Sequence, residues 1–361
     1  MKIPDSVEDS LPANDVPVAR ERWGLHLKTL NEIPTLLSTR EKKDRLNGVV
    51  FLPGEDTIFA LKKAAALLPL EFSVYASAVA IETVESGLGN TCYELVRTED
   101  PVRELLSCLS GERRGNGKRP DFVVRGDLLS LEDTHRAISL AGSERDTQRT
   151  DSAELTSDIS PSPDISTSPA ATERLFLSHV AVLDAAVQGR VLVLSDGFVH
   201  PTPDIKARLA IIRNGLRVCE AIGIGYPRVA LLAAVEQVYQ GMPVTVESAE
   251  IAEMSKAGEI TRAYVDGPLS LDVALVEQVA REKGATGDVA GKADLLVGSS
   301  VEVISGIYMA QTVLARANAA SVVVGGSVPL ALPFPSDCID NIFFSVCLAC
   351  LLCSQDMPST E

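Results

Sequence analysis

Short apolar runs alternate along this chain with longer stretches in which apolar residues recur every third or fourth position. The runs predict strands near 48–52, 72–76, 121–124, 177–183, 190–194, 228–235, 263–265, 294–297 and 321–324. Most are Val, Leu and Ile without alternation, the pattern of strands covered on both faces. Between them lie helical patterns. Ile205, Leu209, Ile212, Leu216 and Cys219 share one helical face, and the stretch stops at Gly223. Residues 271–283 do the same and stop at Gly284, while the apolar run 342–353 reads as a buried helix. Repeated strand–helix–strand units predict a mostly parallel sheet with right-handed crossovers. No internal repeat of fixed period stands out.

Three segments break the pattern. Residues 1–17 form a polar tail, residues 112–120 a basic Gly-rich loop, and residues 143–172 a Ser-, Thr-, Asp- and Pro-rich stretch. The last cannot bury enough apolar surface to offset its ordering entropy, so it reads as a disordered insertion. With 361 residues the chain suits two domains, and aromatics are only 4% of it, so aliphatic residues must fill the cores.

The formal net charge of −16 argues against a nucleic-acid binder, which needs a basic face to displace counterions. No apolar run reaches the roughly 18 residues of a membrane helix, and the polar, acidic start carries no apolar signal core. The expectation is a cytoplasmic protein. Seven cysteines then read as free thiols of a reducing compartment. Cys347, Cys350 and Cys353 recur at three-residue spacing in an apolar helix. A metal or iron–sulfur site would need thiolates, whereas buried free cysteines fit the Leu and Phe around them.

Ligands of open parallel sheets sit beyond the carboxyl ends of strands. Small and polar residues recur there: Arg125-Gly126, Ser195-Asp196-Gly197 with His200, Thr202 and Asp204, Asp266-Gly267, Gly298-Ser299-Ser300 with Glu302, and Ser336-Asp337. Arg125 can meet an anion, or be a surface Arg beside a turn glycine. Thr202 or Asp204 can cap the helix that follows, a geometry compatible with anion binding. His200 can exchange protons near neutral pH, and His179, inside an apolar strand, reads as a satisfied core histidine. Arg113, Arg114, Lys118 and Arg119 could meet a 3′-phosphate but read better as a solvated loop. No nucleotide-binding glycine fingerprint is present.

Segments 177–184 (LSHVAVLD), 191–215 (VLVLSDGFVHPTPDIKARLAIIRNG), 227–238, 242–275, 291–298 and 317–326, with DFVVRGDLLSLEDTHRAI (121–138) upstream, resemble the phosphate acetyltransferase/phosphate butyryltransferase family, the butyryltransferase branch above all. The resemblance implies an α/β fold of two α/β domains with mostly parallel sheets and an interdomain cleft, similar to isocitrate and isopropylmalate dehydrogenases. It implies a domain I of 18–214 plus 316–361, a domain II of 215–315, and a homodimer. The implied reaction joins acyl-CoA and phosphate to give acyl phosphate and coenzyme A. A base takes the CoA thiol proton, CoA serves as substrate, and no cofactor is tightly bound. Asp337 is the expected base and Ser336 the expected hydroxyl, with Asp340 the second candidate for the base. Arg125, Gly126, Ser195, Asp196, His200, Thr202, Asp204, Asp266, Gly267, Glu302 and Ser305 are expected to meet substrate, and no residue is expected to hold a metal. A short- or medium-chain acyl group is expected.

Two positions depart from the family pattern. Phe334 and Pro335 stand where the family carries a Ser-Arg pair, and Val303-Ile304-Ser305 replaces Ala-Gly-Asn after Glu302. A guanidinium grips phosphate through two bonds, and proline offers no donor. These changes leave a second expectation: a diverged member that binds CoA or acyl phosphate as a regulatory or complex subunit. A dehydrogenase has no support, since neither a metal-carboxylate cluster nor a nicotinamide fingerprint is visible.

Overall fold

The computed structural model describes residues 27–38, 45–77, 80–111, 119–147, 175–185 and 189–353, with backbone only for 38, 143–147 and 185. The polar tail 1–17 and most of the basic loop 112–120 lie outside the described residues. Residues 143–147 of the expected insertion continue the helix Leu131–Thr147, and 148–172 also lie outside them.

Eleven strands are seen among the described residues: β1 (Leu46–Phe51), β2 (Leu70–Ala76), β3 (Tyr93–Arg97), β4 (Phe122–Arg125), β5 (Ser178–Ala185), β6 (Arg190–Ser195), β7 (Arg228–Leu232), β8 (Tyr264–Leu269), β9 (Leu295–Val297), β10 (Ala319–Val324) and β11 (Leu330–Ala331). They form one sheet in the order β3-β2-β1-β4-β11-β10-β5-β6-β9-β7-β8. Seven of its ten pairings are parallel. The three antiparallel ones, β11 with β10, β10 with β5 and β5 with β6, lie together in the middle. Strand direction therefore changes there. β1–β5 and β11 run one way, and β6–β10 run the other.

The central antiparallel strands escape sequence reading because a strand buried on both faces has the same Val/Leu/Ile composition in either direction. Edge strand β3 has half-exposed and exposed positions, and β11 is two residues long, so neither yields an apolar run. The pattern read as one helix over 271–283 splits into Leu271–Leu275 and Glu277–Glu282. Val276 adopts extended backbone between them (φ −114°, ψ 105°).

Adjacent residues of each strand face opposite sides, so the sheet separates two apolar layers. Val50, Val124 and Val180 pack with the helices Glu55–Leu67, Ile205–Ala221 and Ile339–Cys353. Val49, Val123 and Ala181 pack on the other side with Pro101–Ser110, Leu131–Thr147 and Val301–Met309. Helix Ile339–Cys353 buries Cys347 and Cys350 fully, and desolvation pushes the Cys347 thiol up to about 12.

Gly126 follows β4 where the chain turns under β1. Its N–H donates to Phe51 O at 2.8 Å, and a Cβ there would collide with the carbonyls of Phe51 and Leu52. Backbone atoms cannot swing aside as a side chain can. Gly126→Ala is therefore expected to lower stability by about 2–3 kcal/mol, read by urea denaturation. An unchanged midpoint would show that the turn relaxes freely.

Candidate active site

Three segments converge on the second face of the sheet: the turn after β6, the helix Val301–Met309, and the turn after β11. Phe334, from the last of these, sits at their centre with 6% of its surface exposed. Its ring lies 5.5 Å from His179, 5.9 Å from Phe198 and 5.1 Å from Tyr308, all edge-on or tilted. Aromatic edges meet ring faces favourably at these separations.

Asp337 closes the turn it belongs to. Its backbone N–H donates to Phe334 O at 3.0 Å, and its Oδ2 accepts from Phe334 N at 2.8 Å. Tyr308 Oη lies 2.9 Å from each carboxylate oxygen. Asn341 Nδ2 stands 3.4 Å from Oδ1, and its own Oδ1 accepts from Ala319 N. Both Asp337 and Tyr308 are buried. Desolvation raises the Asp337 carboxyl above its usual range. The Phe334 N–H, Tyr308, Asn341 and the cation of Arg125 pull the other way. The phenol of Tyr308 is pushed well above 10 by burial and by Asp337, so it is a donor at neutral pH. An acid whose proton affinity is lifted toward neutrality is suited to proton exchange.

Arg125 ends β4, parallel to β11, and reaches across so that Nη1 donates to Pro333 O at 2.7 Å. It is buried, and its Nε has no hydrogen-bond partner. Burial lowers its affinity for the proton, against the attraction of Asp127 and Asp337. Arg125 thus ties down the carbonyl side of the turn that carries Asp337. Asp127 turns away to accept from Gly54 N and Thr57 Oγ1, each at 2.5 Å.

The turn after β6 is built on Asp196. Oδ1 accepts from Phe198 N and Val199 N, and Oδ2 from His200 N at 3.2 Å. Burial raises this carboxyl too, offset by those N–H groups. Ser195 Oγ donates to His179 O at 2.7 Å. His179 is fully buried, with Nε2 2.7 Å from Ser321 Oγ and Nδ1 accepting from Gly197 N at 3.3 Å. His200 stacks on Phe176 at 4.4 Å and places Nε2 2.8 Å from Leu177 O. Asp204 caps the helix Ile205–Ala221 by accepting from Ala207 N at 2.7 Å, and Thr202 is exposed two residues before it.

The expected site residues fall into three groups. Ser195, Asp196, His200, Thr202, Asp204, Glu302 and Ser305 belong to the β6 and β9 ends, which touch through Gly298 N and Ser195 O at 3.0 Å. Arg125, Gly126, Ser336 and Asp337 belong to the β4 and β11 ends, where strands run the opposite way. Helix Val301–Met309 joins the two, with exposed Glu302 at its start and Tyr308 near its end. The Phe334–Phe198–His179 rings make a second link. Asp266 and Gly267 stand apart on edge strand β8, two strands beyond β9. There Asp266 accepts from Gly267 N at 2.9 Å, and burial raises its carboxyl. Ser336 is exposed, its Oγ 3.5 Å from Met309 Sδ.

Sequence reasoning missed Tyr308 and Asn341. The available signal was spacing: Tyr308 lies four residues after Ile304 on one helix face, and Asn341 four after Asp337. Among the described residues no three His, Cys, Asp or Glu side chains converge as metal ligands, and no helix is long and apolar enough to cross a membrane.

A single sheet with two opposed parallel halves, helices on both faces and a candidate site on the face where the halves meet defines the α/β class of this fold. The chain belongs to the Phosphate acetyl/butaryl transferase family, whose model matches residues 159–350. It is 38% identical over 176 residues to a phosphate butyryltransferase of Clostridium acetobutylicum, covering 49% of this chain and 58% of the relative. It is 34% identical over 173 residues to a phosphate acetyltransferase of Thermotoga maritima, covering 48% and 59%. The chain thus spans less than two thirds of these relatives' length. Among solved structures, a branched-chain phosphotransacylase from Enterococcus faecalis V583 superposes with a TM-score of 0.62 at 24% identity. The match covers 86% of this chain and 99% of that one. A phosphotransacetylase from Streptococcus pyogenes gives 0.65 at 16% identity, covering 90% and 99%. These likenesses establish the fold.

Proposed function

We propose that this chain is a phosphate acyltransferase that interconverts acyl-CoA plus phosphate with acyl phosphate plus CoA, for a short- or medium-chain acyl group. The observation that carries the reading is Asp337. It is a buried carboxylate with a raised proton affinity, held by Tyr308, on the turn that Arg125 anchors. Toward acyl-CoA, the Asp337 carboxylate takes the thiol proton as sulfur bonds to the acyl carbonyl carbon. The carbon–oxygen bond to phosphate then breaks, and phosphate leaves with the electron pair. In reverse, protonated Asp337 returns the proton to the departing CoA thiolate. Positioning two substrates against one fixed base supplies much of the rate of such a transfer.

Exposed Thr202 and Glu302 and half-buried Ser305 border the same region and are the groups available to the substrates. No cofactor enters the reaction. The reading includes cytoplasmic action, which seven free cysteines suit. It also includes a homodimer, for which Val313 and Leu314, 50% and 81% exposed beside the site helix, offer apolar surface.

A specific observation favours a second reading. Phe334 fills the aromatic cluster and Pro335 carries no donor, so the turn offers phosphate no cationic side chain. A member of this kind would bind CoA or acyl phosphate without turnover. Thiol release from acetyl- to octanoyl-CoA, with and without phosphate, separates the two. Phosphate-dependent release with one preferred chain length supports the transferase. Binding of CoA by calorimetry without release supports the second reading.

A further inference from the structure

The Asp337 carboxylate accepts from three neighbours, and only one of them brings a hydroxyl to both of its oxygens. Tyr308 Oη is equidistant from Oδ1 and Oδ2 at 2.9 Å, so its hydroxyl is within donating distance of both. Both side chains are buried, and Tyr308 is held in turn by helix Val301–Met309 and by the Phe334 ring at 5.1 Å. A hydroxyl with no other described partner, aimed at a carboxylate in a low-dielectric surrounding, fixes that carboxylate's rotation more firmly than a solvated contact would. Tyr308 also begins the backbone link to the next turn, since its carbonyl accepts from Thr312 Oγ1 at 3.0 Å.

We propose that Tyr308 is the positioning residue of this site: its hydroxyl fixes the carboxylate of Asp337 that exchanges a proton with the CoA thiol. The inference rests on the acyl-transfer reading and deepens it. Other charged or titratable groups face Asp337 from each packed element. They are the Arg125 cation from β4, with Asp127 behind it, and Cys338 on the same turn. On helix Ile339–Cys353 Asp340 is paired at 2.6 Å with Lys63, and on β5 His179 lies beyond the Phe334 ring. Arg125 makes no hydrogen bond to Asp337, since its Nη1 is engaged by Pro333 O and its Nε has no partner. Among the described residues, Tyr308 is therefore the one ionisable side chain that bonds the carboxylate directly.

Removing its hydroxyl strips a donor from the charged form of Asp337, so the carboxyl must hold its proton to higher pH. The test compares the pH profile of kcat for acyl-CoA formation from acyl phosphate and CoA, the direction in which Asp337 is the base, for the unaltered protein, for Tyr308→Phe, and for a protein carrying 3-fluorotyrosine at position 308. The more acidic fluorophenol is a stronger donor of nearly the same shape. The acid limb is expected to move up by about one pH unit in Tyr308→Phe and down in the fluorotyrosine protein, with KM for CoA unchanged in both. A loss of kcat without movement of the limb would assign Tyr308 a packing role only and overturn the proposal. If Tyr308→Phe fails to fold, the fluorotyrosine protein decides alone. If the unaltered protein releases no thiol, the acyl-transfer reading falls. The infrared carboxyl band that Asp337→Asn removes then reports the titration directly. Movement of that band between the 308 variants keeps the positioning role, and coincident titrations end it.

Discussion

Asp337→Asn is expected to lower acyl-CoA formation from acyl phosphate and CoA, followed as loss of free thiol, by roughly 10²–10⁴-fold, the span of a lost general base. The amide keeps the shape of the carboxylate and still offers an oxygen to Tyr308, so the turn should close as before. One local cost is expected. The amide oxygen can stand at Oδ2 and accept from both Phe334 N and Tyr308 Oη, which leaves the new NH2 facing the Nδ2 donor of Asn341 at 3.4 Å. A thermal melt and CoA calorimetry run beside the rate separate that cost from chemistry. The pH dependence gives a sharper test. A base works only when ionised, and burial raises the Asp337 carboxyl, so the rate of the unaltered protein should rise with pH through a limb above the ordinary carboxylate range near about 4. The Asn protein should lack this limb. A rate within tenfold of the unaltered protein, with the limb intact, would remove Asp337 from the chemistry.

The turn after β11 shows what the sequence does and does not make legible. That Asp337 is a candidate site residue is read from its place after an apolar run and from a resemblance in the flanking segments. What surrounds it does not follow, because its partners come from distant stretches: Arg125 from β4, Tyr308 from the helix after β9, and Ala319 through Asn341. Local pattern reports burial and periodicity but not which strand lies beside which. The same limit explains the strand-end argument. It placed Arg125 and Ser195 at carboxyl ends, as the structure does, yet the reversal between β11 and β6 turns those ends in opposite directions. Among the described residues, the nine-residue helix Val301–Met309 and the ring cluster on Phe334 bridge them. Phe334, which reads in sequence as a missing phosphate ligand, is in the fold the packing centre that holds Tyr308, Phe198 and His179 together.

His179 carries the largest expected effect on stability. It is fully buried, and burial pulls its proton affinity down from 6.5 to about 3. The hydrogen bonds explain why a second proton is unwelcome. Nδ1 accepts from Gly197 N, so the neutral ring carries its proton on Nε2 toward Ser321 Oγ, and a proton on Nδ1 would face another N–H. Because the folded value is depressed, the stabilisation is fully present above the unfolded value near 6.5 and is lost as pH falls toward 3. Between pH 6.5 and 4 the loss from this one group is about 3 kcal/mol. Asp196 and Asp337 act in the opposite sense. Their carboxyls are raised by burial, so the folded state takes up protons before the unfolded chain does and gains relative stability as pH falls. The net slope of the unaltered protein is therefore a difference of opposing groups, and the informative quantity is its comparison with His179→Asn. Guanidinium midpoints for the two proteins at pH 7, 6, 5 and 4 should converge on the acid side by about 1.4 kcal/mol per pH unit. Parallel curves would mean that the ring already reaches water and that the cluster under Phe334 opens in the native state. The same comparison sorts acid inactivation into two causes. Protonation of Asp337 slows turnover toward acyl-CoA in a folded protein, whereas charging His179 unfolds the platform on which the Asp337 turn rests, and only the second disappears in His179→Asn.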